Sequence, residues 1–465
     1  MVFSSFTFLL LFMPLVLLGY RLMPSKARMP FLFAASLLFY GWGSPLWLLL
    51  LGWCMIVSWG GTLLMMRGQK RRRWLLILMI ALDLLPLFWF KYAAFFRDTL
   101  DHLFGWNAFD ALSGVLSRLL GAEIQVSTPV LPAGISFFTF QAISYIVDVW
   151  RGDARAQRSL IVFGVYLSLF PQLVAGPIVR YTDLEAQLLE HPRPTWEQMR
   201  RGLARFCTGL AKKVLLADAL GRFWGQVNAD FSQAGALGSW LGLISFSFQI
   251  YFDFAGYSDM ALGLGESMGF IMPENFDHPY RALSLTEFWR RWHISLTTWF
   301  REYVYIPLGG NRCARWRRDL NVMIVWALTG LWHGAGWNFV LWGVYFGLLL
   351  ILEKRFLIDT GRAARIPRLV RHGVSYLLVL FGWGMFSGFG LPLLTAMTGG
   401  SGWGSMEIWL ACLAHLPLLI FCAVLSFAPR LPRVRAWRFA APVLMLLCLG
   451  ALAAQGYAPF VYFQF

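Results

Sequence analysis

Charge is scarce in this chain and unevenly signed. Only 14% of its 465 residues are charged, and 24 acids face 40 bases. No polar stretch is long enough to fold as a separate soluble domain, so residues 1–465 read as one domain. The six cysteines (Cys54, Cys207, Cys313, Cys412, Cys422 and Cys448) are scattered without a CxxC pair. That argues against a disulfide framework and a cysteine metal site, and no metal is expected. A basic stretch ahead of the first apolar run is also missing, since Arg21, Lys26 and Arg28 follow it. A cleaved secretory signal has the opposite order. Residues 1–20 therefore read as a first span that is kept, with its N-terminus outside.

Apolar sequence takes the place of charge, at 58% of the chain. Runs of about 18 or more residues with few charges are span candidates. Such runs begin near residues 4, 30, 45, 74, 129, 372, 407 and 439. The expected fold is all-α, a polytopic integral membrane protein held in a lipid bilayer. The bases cluster in short connections at 67–73 (RGQKRRR), 312–318 (RCARWRR), 362–371 and 430–438. This is the positive-inside pattern of cytoplasmic loops. It excludes nucleic acid as a partner despite the net charge of +16. Residues 95–128 are mixed in charge and rich in Phe and Trp, and read as helices lying on the outer membrane surface. The terminal QGYAPFVYFQF is expected to emerge on that side as well.

The middle of the chain breaks the alternation. Basic stretches at 180–213, 281–318 and 354–355 all belong on the cytoplasmic side. The apolar segments between them must each return to the side they left. The tract 321–352 has no Asp, Glu, Lys or Arg in 32 residues. As helix it would extend about 48 Å. That is too long for one upright crossing of about 30 Å and too short for two. Gly330, Gly334, Gly336 and Gly343 offer places to break it. Broken backbone at membrane depth is tolerated only inside protein or beside a watery cavity. The segment 283–306 is apolar and aromatic yet carries Glu287, Arg290, Arg291, His293 and Arg301, so it cannot face lipid.

An ionisable group inside such tracts is a functional-site candidate by default. Four sets stand out. His333 is the sole ionisable group of its tract, and His293 lies in WRRWHIS. Asp253 and Asp259 lie in QIYFDFAGYSDMALGLG, and Asp148 ends the run before Arg151. Each also has a structural reading. A lone His can bond between helices. Asp253 and Asp259 can pair with Tyr257 or with an arginine elsewhere. Asp148 is most simply a helix-end carboxylate paired with Arg151. The sharper reading takes the histidines together, because an uncharged imidazole can take a proton from a hydroxyl and return it to a leaving group. No GxSxG turn, nucleophilic cysteine or HExxH stands beside either histidine. Direct acyl transfer to an alcohol is the simplest chemistry left. A proton-coupled transporter fits buried His and Asp nearly as well.

Several blocks in order resemble the membrane-bound O-acyltransferases: TEFWRRWHISLTTWFREYVYIPLGGNR (286–312) and TGLWHGAGWNFVLWG (329–343). YFDFAGYSDMALGLG, PAGISFFTFQAISYIVDVWRGD, LVAGPIVR and the terminal YFQF are similar to the bacterial polysaccharide O-acetyltransferase branch, which acts in alginate or cellulose acetylation. The resemblance implies helices around a central tunnel with a cytoplasmic funnel. It makes His333 the catalytic histidine and His293 a second required one. It further implies a cytoplasmic acyl donor, acetyl-CoA as substrate, and no bound cofactor. Arg290, Arg291, Arg301 and Arg312 are placed to hold its phosphates. Asp253, Asp259, Trp332 and Asn338 are further candidates for substrate contact. The implied location is the bacterial inner membrane with both termini periplasmic. The implied partner is a periplasmic or membrane-anchored acetyltransferase of the polysaccharide machinery, docking at 95–128, with the polymer acetylated directly or through it. The alginate members carry a polar insertion before the last span. The short 429–438 stretch here leans toward cellulose.

Overall fold

The computed structural model describes residues 1–67, 73–105, 131–388, 390–427 and 437–456, with single positions at 113, 118 and 460. Among the described residues there are helices and no strand. Four helices are long and apolar enough to cross a bilayer: Trp47–Met65, Arg73–Phe104, Arg368–Phe386 and Met406–Phe427. They match the runs expected near 45, 74, 372 and 407. On Met406–Phe427 the exposed residues include Leu410, Leu413, Leu416, Ile420, Phe421 and Val424, which fall on one helical face. A face of that kind would aggregate in water and is at home against lipid. The runs near 4 and 439 form shorter apolar helices, Thr7–Leu22 and Ala440–Ala454. The run near 30 is the helix Ser25–Gly41.

The run near 129 is not a lipid-facing span. Its helix, Ile135–Arg151, is buried on nearly every side. Ser136, Thr139, Gln141 and Ser144 are interleaved with Phe137, Phe138, Phe140 and Ile143, and these polar groups need protein neighbours rather than lipid. Of the segment expected on the outer surface, residues 95–104 instead continue the helical tract from Arg73. Most of its remainder, 428–436 and 461–465 lie outside the described residues.

Two helical hairpins build the centre. The first runs through Trp196–Ala211, a π-turn at Lys212–Ala217 and Asp218–Ala229, then turns back into Phe231–Ser267. Its arms touch backbone to backbone. A Cβ on Gly209 would lie 2.4 Å from Gly256 O, and one on Gly263 2.4 Å from Gly202 O. Small residues at these crossings are what let the arms approach. Arg201–Glu266, Arg205–Asp259, Lys212–Asp259 and Lys213–Asp253 ion pairs tie the arms together. Such a hairpin returns the chain to the end where it began, as the flanking basic stretches require.

The second hairpin is Arg315–His333 followed by Trp337–Glu353. Gly334 and Gly336 break it with fully extended backbone, at φ −162° and −161°. Gly330 and Gly343 do a different job from the break expected of them. A Cβ on either would lie 2.3 Å from a carbonyl of the opposite arm. Arg355 reaches Asp319 across the open end. The 32-residue tract thus enters and returns, as its length demanded.

The buried side chains form two hydrophobic clusters. Two of the several places where the chain passes from one to the other lie between Trp292 and Leu296 and between Trp332 and Phe339. Each passage contains one of the two histidines.

Candidate active site

His333 is the last residue of the Arg315–His333 helix, at the tip of the broken hairpin, and is 6% exposed. Its ring is boxed by aromatic neighbours. The centroids of Trp332 and Trp342 are 5.1 Å away and that of Phe386 5.4 Å, all close to perpendicular. The chain can carry such a residue here because the glycines after it end the helix without adding side chains to the tip.

His293 is 1% exposed and joins two short helices, Leu285–Arg291 and Ile294–Phe300. Its backbone is left-handed, at φ 44° and ψ 54°. For a residue with a Cβ this costs about 1–3 kcal/mol and persists only where the surroundings hold it. Asn275 does the holding. Its backbone carbonyl accepts from Ile294 N at 3.0 Å. Its side-chain Oδ1 accepts from Ser295 N at 3.2 Å and Ser295 Oγ at 2.9 Å. Its Nδ2 donates to Ser258 Oγ at 3.2 Å.

This arrangement fixes the tautomer of His293. Because Oδ1 of Asn275 accepts from a backbone N–H, it is an acceptor, and His293 Nδ1, 3.1 Å away, must donate to it. In the uncharged ring the lone pair then resides on Nε2, which has no hydrogen-bond partner among the described residues. An imidazole held by its outer nitrogen with the other left as acceptor is the arrangement a proton-accepting group needs.

The two imidazoles share a neighbour. The Trp332 indole is 5.7 Å from the His293 ring and 5.1 Å from that of His333. Trp332 donates Nε1–H to Ser136 O at 3.4 Å and packs on Phe137 and Phe140. It is a neighbour common to both histidines, fixed by the buried Ile135–Arg151 helix.

The other sequence candidates fall into two groups. Asn338 lies near the same tip, where Nδ2 donates to Phe386 O at 3.2 Å and ties down a ring that touches His333. Asp253, 1% exposed, pairs with Lys213 at 3.0 Å. Asp259 pairs with Lys212 at 2.6 Å and Arg205 at 2.8 Å. Both carboxylates therefore serve as ties across the first hairpin: Asp259 has the arginine expected of it and a lysine besides, while Asp253 takes a lysine where tyrosine or arginine was expected. Arg291 is engaged by Glu287 at 2.8 Å, and Arg301 by Glu302 at 2.8 Å. Arg290 and Arg312 are exposed and make no ion pair among the described residues. Asp148 does not pair with Arg151. It accepts from Tyr303 O–H at 2.7 Å, while Arg151 crosses to Glu302 O at 3.1 Å.

Sequence reasoning missed Asn275 and Lys91. Asn275 is a neutral residue in a loop, and nothing in the sequence ties it to a histidine 18 positions on. Lys91 was findable by the rule that found His333, since it is a lone base in LLPLFWFKYAAFF. It is buried, and Nζ donates to Ser136 Oγ at 3.2 Å, to His333 O at 3.3 Å and to Trp332 O. A GxSxG sequence does occur, GESMG at 265–269, but Ser267 is buried and donates to Gly263 O at 2.8 Å as part of the helix. Among the described residues no three His, Cys, Asp or Glu side chains gather to hold a metal.

Fold and site together define a polytopic helical membrane protein that encloses a polar pair at the tip of a broken hairpin. Residues 36–397 match the model of the membrane-bound O-acyltransferase family, MBOAT, and the chain belongs to that family. It is 36% identical over 516 residues to the "Probable alginate O-acetylase AlgI" of Azotobacter vinelandii, with both chains covered in full. It is 38% identical over 512 residues to the protein of that name from Pseudomonas putida, again with full coverage of both. The peptidoglycan O-acetyltransferase of Helicobacter pylori is 30% identical, over 83% of this chain and 77% of that one. The chain is an enzyme, a membrane-embedded O-acyltransferase.

Proposed function

We propose that the enzyme moves an acetyl group from cytoplasmic acetyl-CoA to a hydroxyl presented from the far side of the bacterial inner membrane, with His333 as general base. The observation that carries this reading is the pair of buried imidazoles packed on one indole, where the chain crosses between its two hydrophobic clusters. Junctions between packed bodies are where ligand passages form. A tunnel along this seam would bring thioester and alcohol to His333 from opposite sides, with both chain termini periplasmic. Arg290 and Arg312 are the two arginines of the original four with guanidinium groups left for donor phosphates.

His333 takes the proton of the acceptor hydroxyl as its oxygen attacks the thioester carbonyl. The tetrahedral intermediate collapses with cleavage of the C–S bond, and the imidazolium returns the proton to the departing thiolate. An ester and free CoA result. The tautomer of His293 suits accepting, through Nε2, a hydrogen bond from a second hydroxyl or a water beside the reacting one, whose single proton goes to His333. Donation from Nε2 to the oxyanion would need a second proton on the ring.

The acceptor is a hydroxyl of an exported polysaccharide, or of a periplasmic or membrane-anchored acetyltransferase that passes the group on. The full-length matches to alginate O-acetylases make alginate the first polymer to assay and cellulose the second. The test uses purified protein in liposomes with acetyl-labelled acetyl-CoA on one side. Release of CoA thiol that is lost in His333→Ala upholds the reading. Label crossing the bilayer as intact thioester, unchanged in His333→Ala, overturns it in favour of transport.

A further inference from the structure

The broken hairpin poses a physical problem at the residue that matters most. The last four carbonyls of a helix have no partner within it, and at membrane depth no lipid group can supply one. At the end of Arg315–His333 those carbonyls belong to Gly330, Leu331, Trp332 and His333. Gly330 O accepts from Gly334 N at 3.3 Å. The other three are satisfied from a single distant stretch. Leu331 O accepts from Tyr92 O–H at 2.8 Å, His333 O accepts from Lys91 Nζ at 3.3 Å, and Trp332 O accepts from the same ammonium. Lys91 and Tyr92 end a π-turn, Phe88–Tyr92, inside the Arg73–Phe104 tract. Such turns interrupt a helix locally and recur at functional sites.

Lys91 has three N–H donors and three acceptors, the third being Ser136 Oγ on the Ile135–Arg151 helix. It makes no salt bridge among the described residues. A buried cation without a carboxylate is costly. Here the negative end of a helix dipole receives it. With every hydrogen committed, the ammonium is not free to act as an acid or to bind a donor phosphate. We propose that Lys91, assisted by Tyr92, is a positioning residue. It caps the helix end that presents His333 and locks it to the Ile135–Arg151 helix, which also fixes Trp332.

This rests on the assignment of His333 as the reacting base, so the experiment has an arm that does not. Lys91→Met keeps the length and removes the donors, whereas Lys91→Gln keeps two N–H groups without the charge. With acetyl-CoA as probe, Lys91→Met is expected to lose up to about a hundredfold in kcat, the scale of a misplacement near 1 Å, with KM for acetyl-CoA unchanged. Lys91→Gln is expected to recover most of that loss. A purely structural lysine would lower the unfolding temperature and leave kcat of the folded fraction alone. The second arm needs no turnover. Carbethoxylation of His333 by diethyl pyrocarbonate, mapped by mass spectrometry, is expected to change severalfold in Lys91→Met while His293 does not. Wild-type kcat together with wild-type His333 reactivity in Lys91→Met overturns the proposal. A wild-type protein that never cleaves acetyl-CoA overturns the transferase reading instead and leaves the reactivity arm to decide. Should Lys91→Met not accumulate, Tyr92→Phe and Ser136→Ala each remove one bond of the set. Normal kcat and reactivity in both then overturns it.

Discussion

Replacing Asn275 by leucine removes one carbonyl oxygen that three donors share. Two of them, Ser295 N–H and His293 Nδ1–H, are buried and held at 3.2 and 3.1 Å by the local backbone. Each orphaned buried donor costs about 1–3 kcal/mol, so the variant is expected to lose roughly 2–6 kcal/mol of stability before relaxation. One relaxation is available, and it is the damaging one. Ser295 Oγ lies 3.5 Å from His293 Nδ1 and can turn its proton toward that nitrogen. The imidazole proton then moves to Nε2, and the lone pair that faces the site is lost. Transfer is expected to fall roughly 5- to 150-fold, the rate equivalent of the about 1–3 kcal/mol lost when one buried hydrogen bond in the site is unmade. Asn275→Asp keeps the Oδ1 acceptor and turns the Nδ2 donor into an acceptor that the Ser258 hydroxyl can turn to meet, and is expected to stay within about tenfold of wild type. The assay is the initial rate of thioester cleavage by protein purified in detergent, with the unfolding midpoint recorded for each variant. A folded Asn275→Leu protein with a wild-type rate would refute the tautomer argument. Equal loss in Asn275→Asp would show that the Nδ2 donor or the neutrality of the side chain, rather than the Oδ1 acceptor, is what matters.

Other consequences can be checked in the same preparations. Asp253→Leu strands the buried Lys213 partly unpaired and is expected to destabilise by about 3–5 kcal/mol. The surviving folded fraction should keep normal kcat and KM, and a raised KM would return Asp253 to the substrate site. Gly209→Val forces side-chain atoms into Gly256 O, and thermal unfolding in detergent is expected to show a loss of at least about 1–3 kcal/mol. Arg290→Ala is expected to raise KM for acetyl-CoA more than Arg291→Ala does, because Arg291 is already committed to Glu287. Steady-state kinetics over a range of donor concentrations decides between them.

The features legible in the sequence were those that violate a simple rule. A 32-residue apolar tract fits neither one crossing nor two, and it folds as a broken hairpin. The histidines stood out as ionisable groups in apolar surroundings, and both lie where the clusters meet. What stayed hidden depended on partners far along the chain. Lys213 and Lys212 take the aspartates of the first hairpin, and Tyr303 takes Asp148. The Ile135–Arg151 helix read as a span because its phenylalanines outweigh its serines in any window average. Its interleaved Ser136, Thr139, Gln141 and Ser144 were the sign of a helix enclosed by protein. Asn275 carried no signal at all, because an uncharged loop residue becomes important only once a left-handed histidine folds against it.

The most direct measurement is single-turnover cleavage of acetyl-CoA by the purified enzyme and by His333→Ala, with the unfolding temperature of both taken alongside. A rate falling by about 10²- to 10⁴-fold at unchanged stability is the expected result. A stable His333→Ala protein that cleaves the thioester as fast as the parent would contradict the assignment of this imidazole as the base.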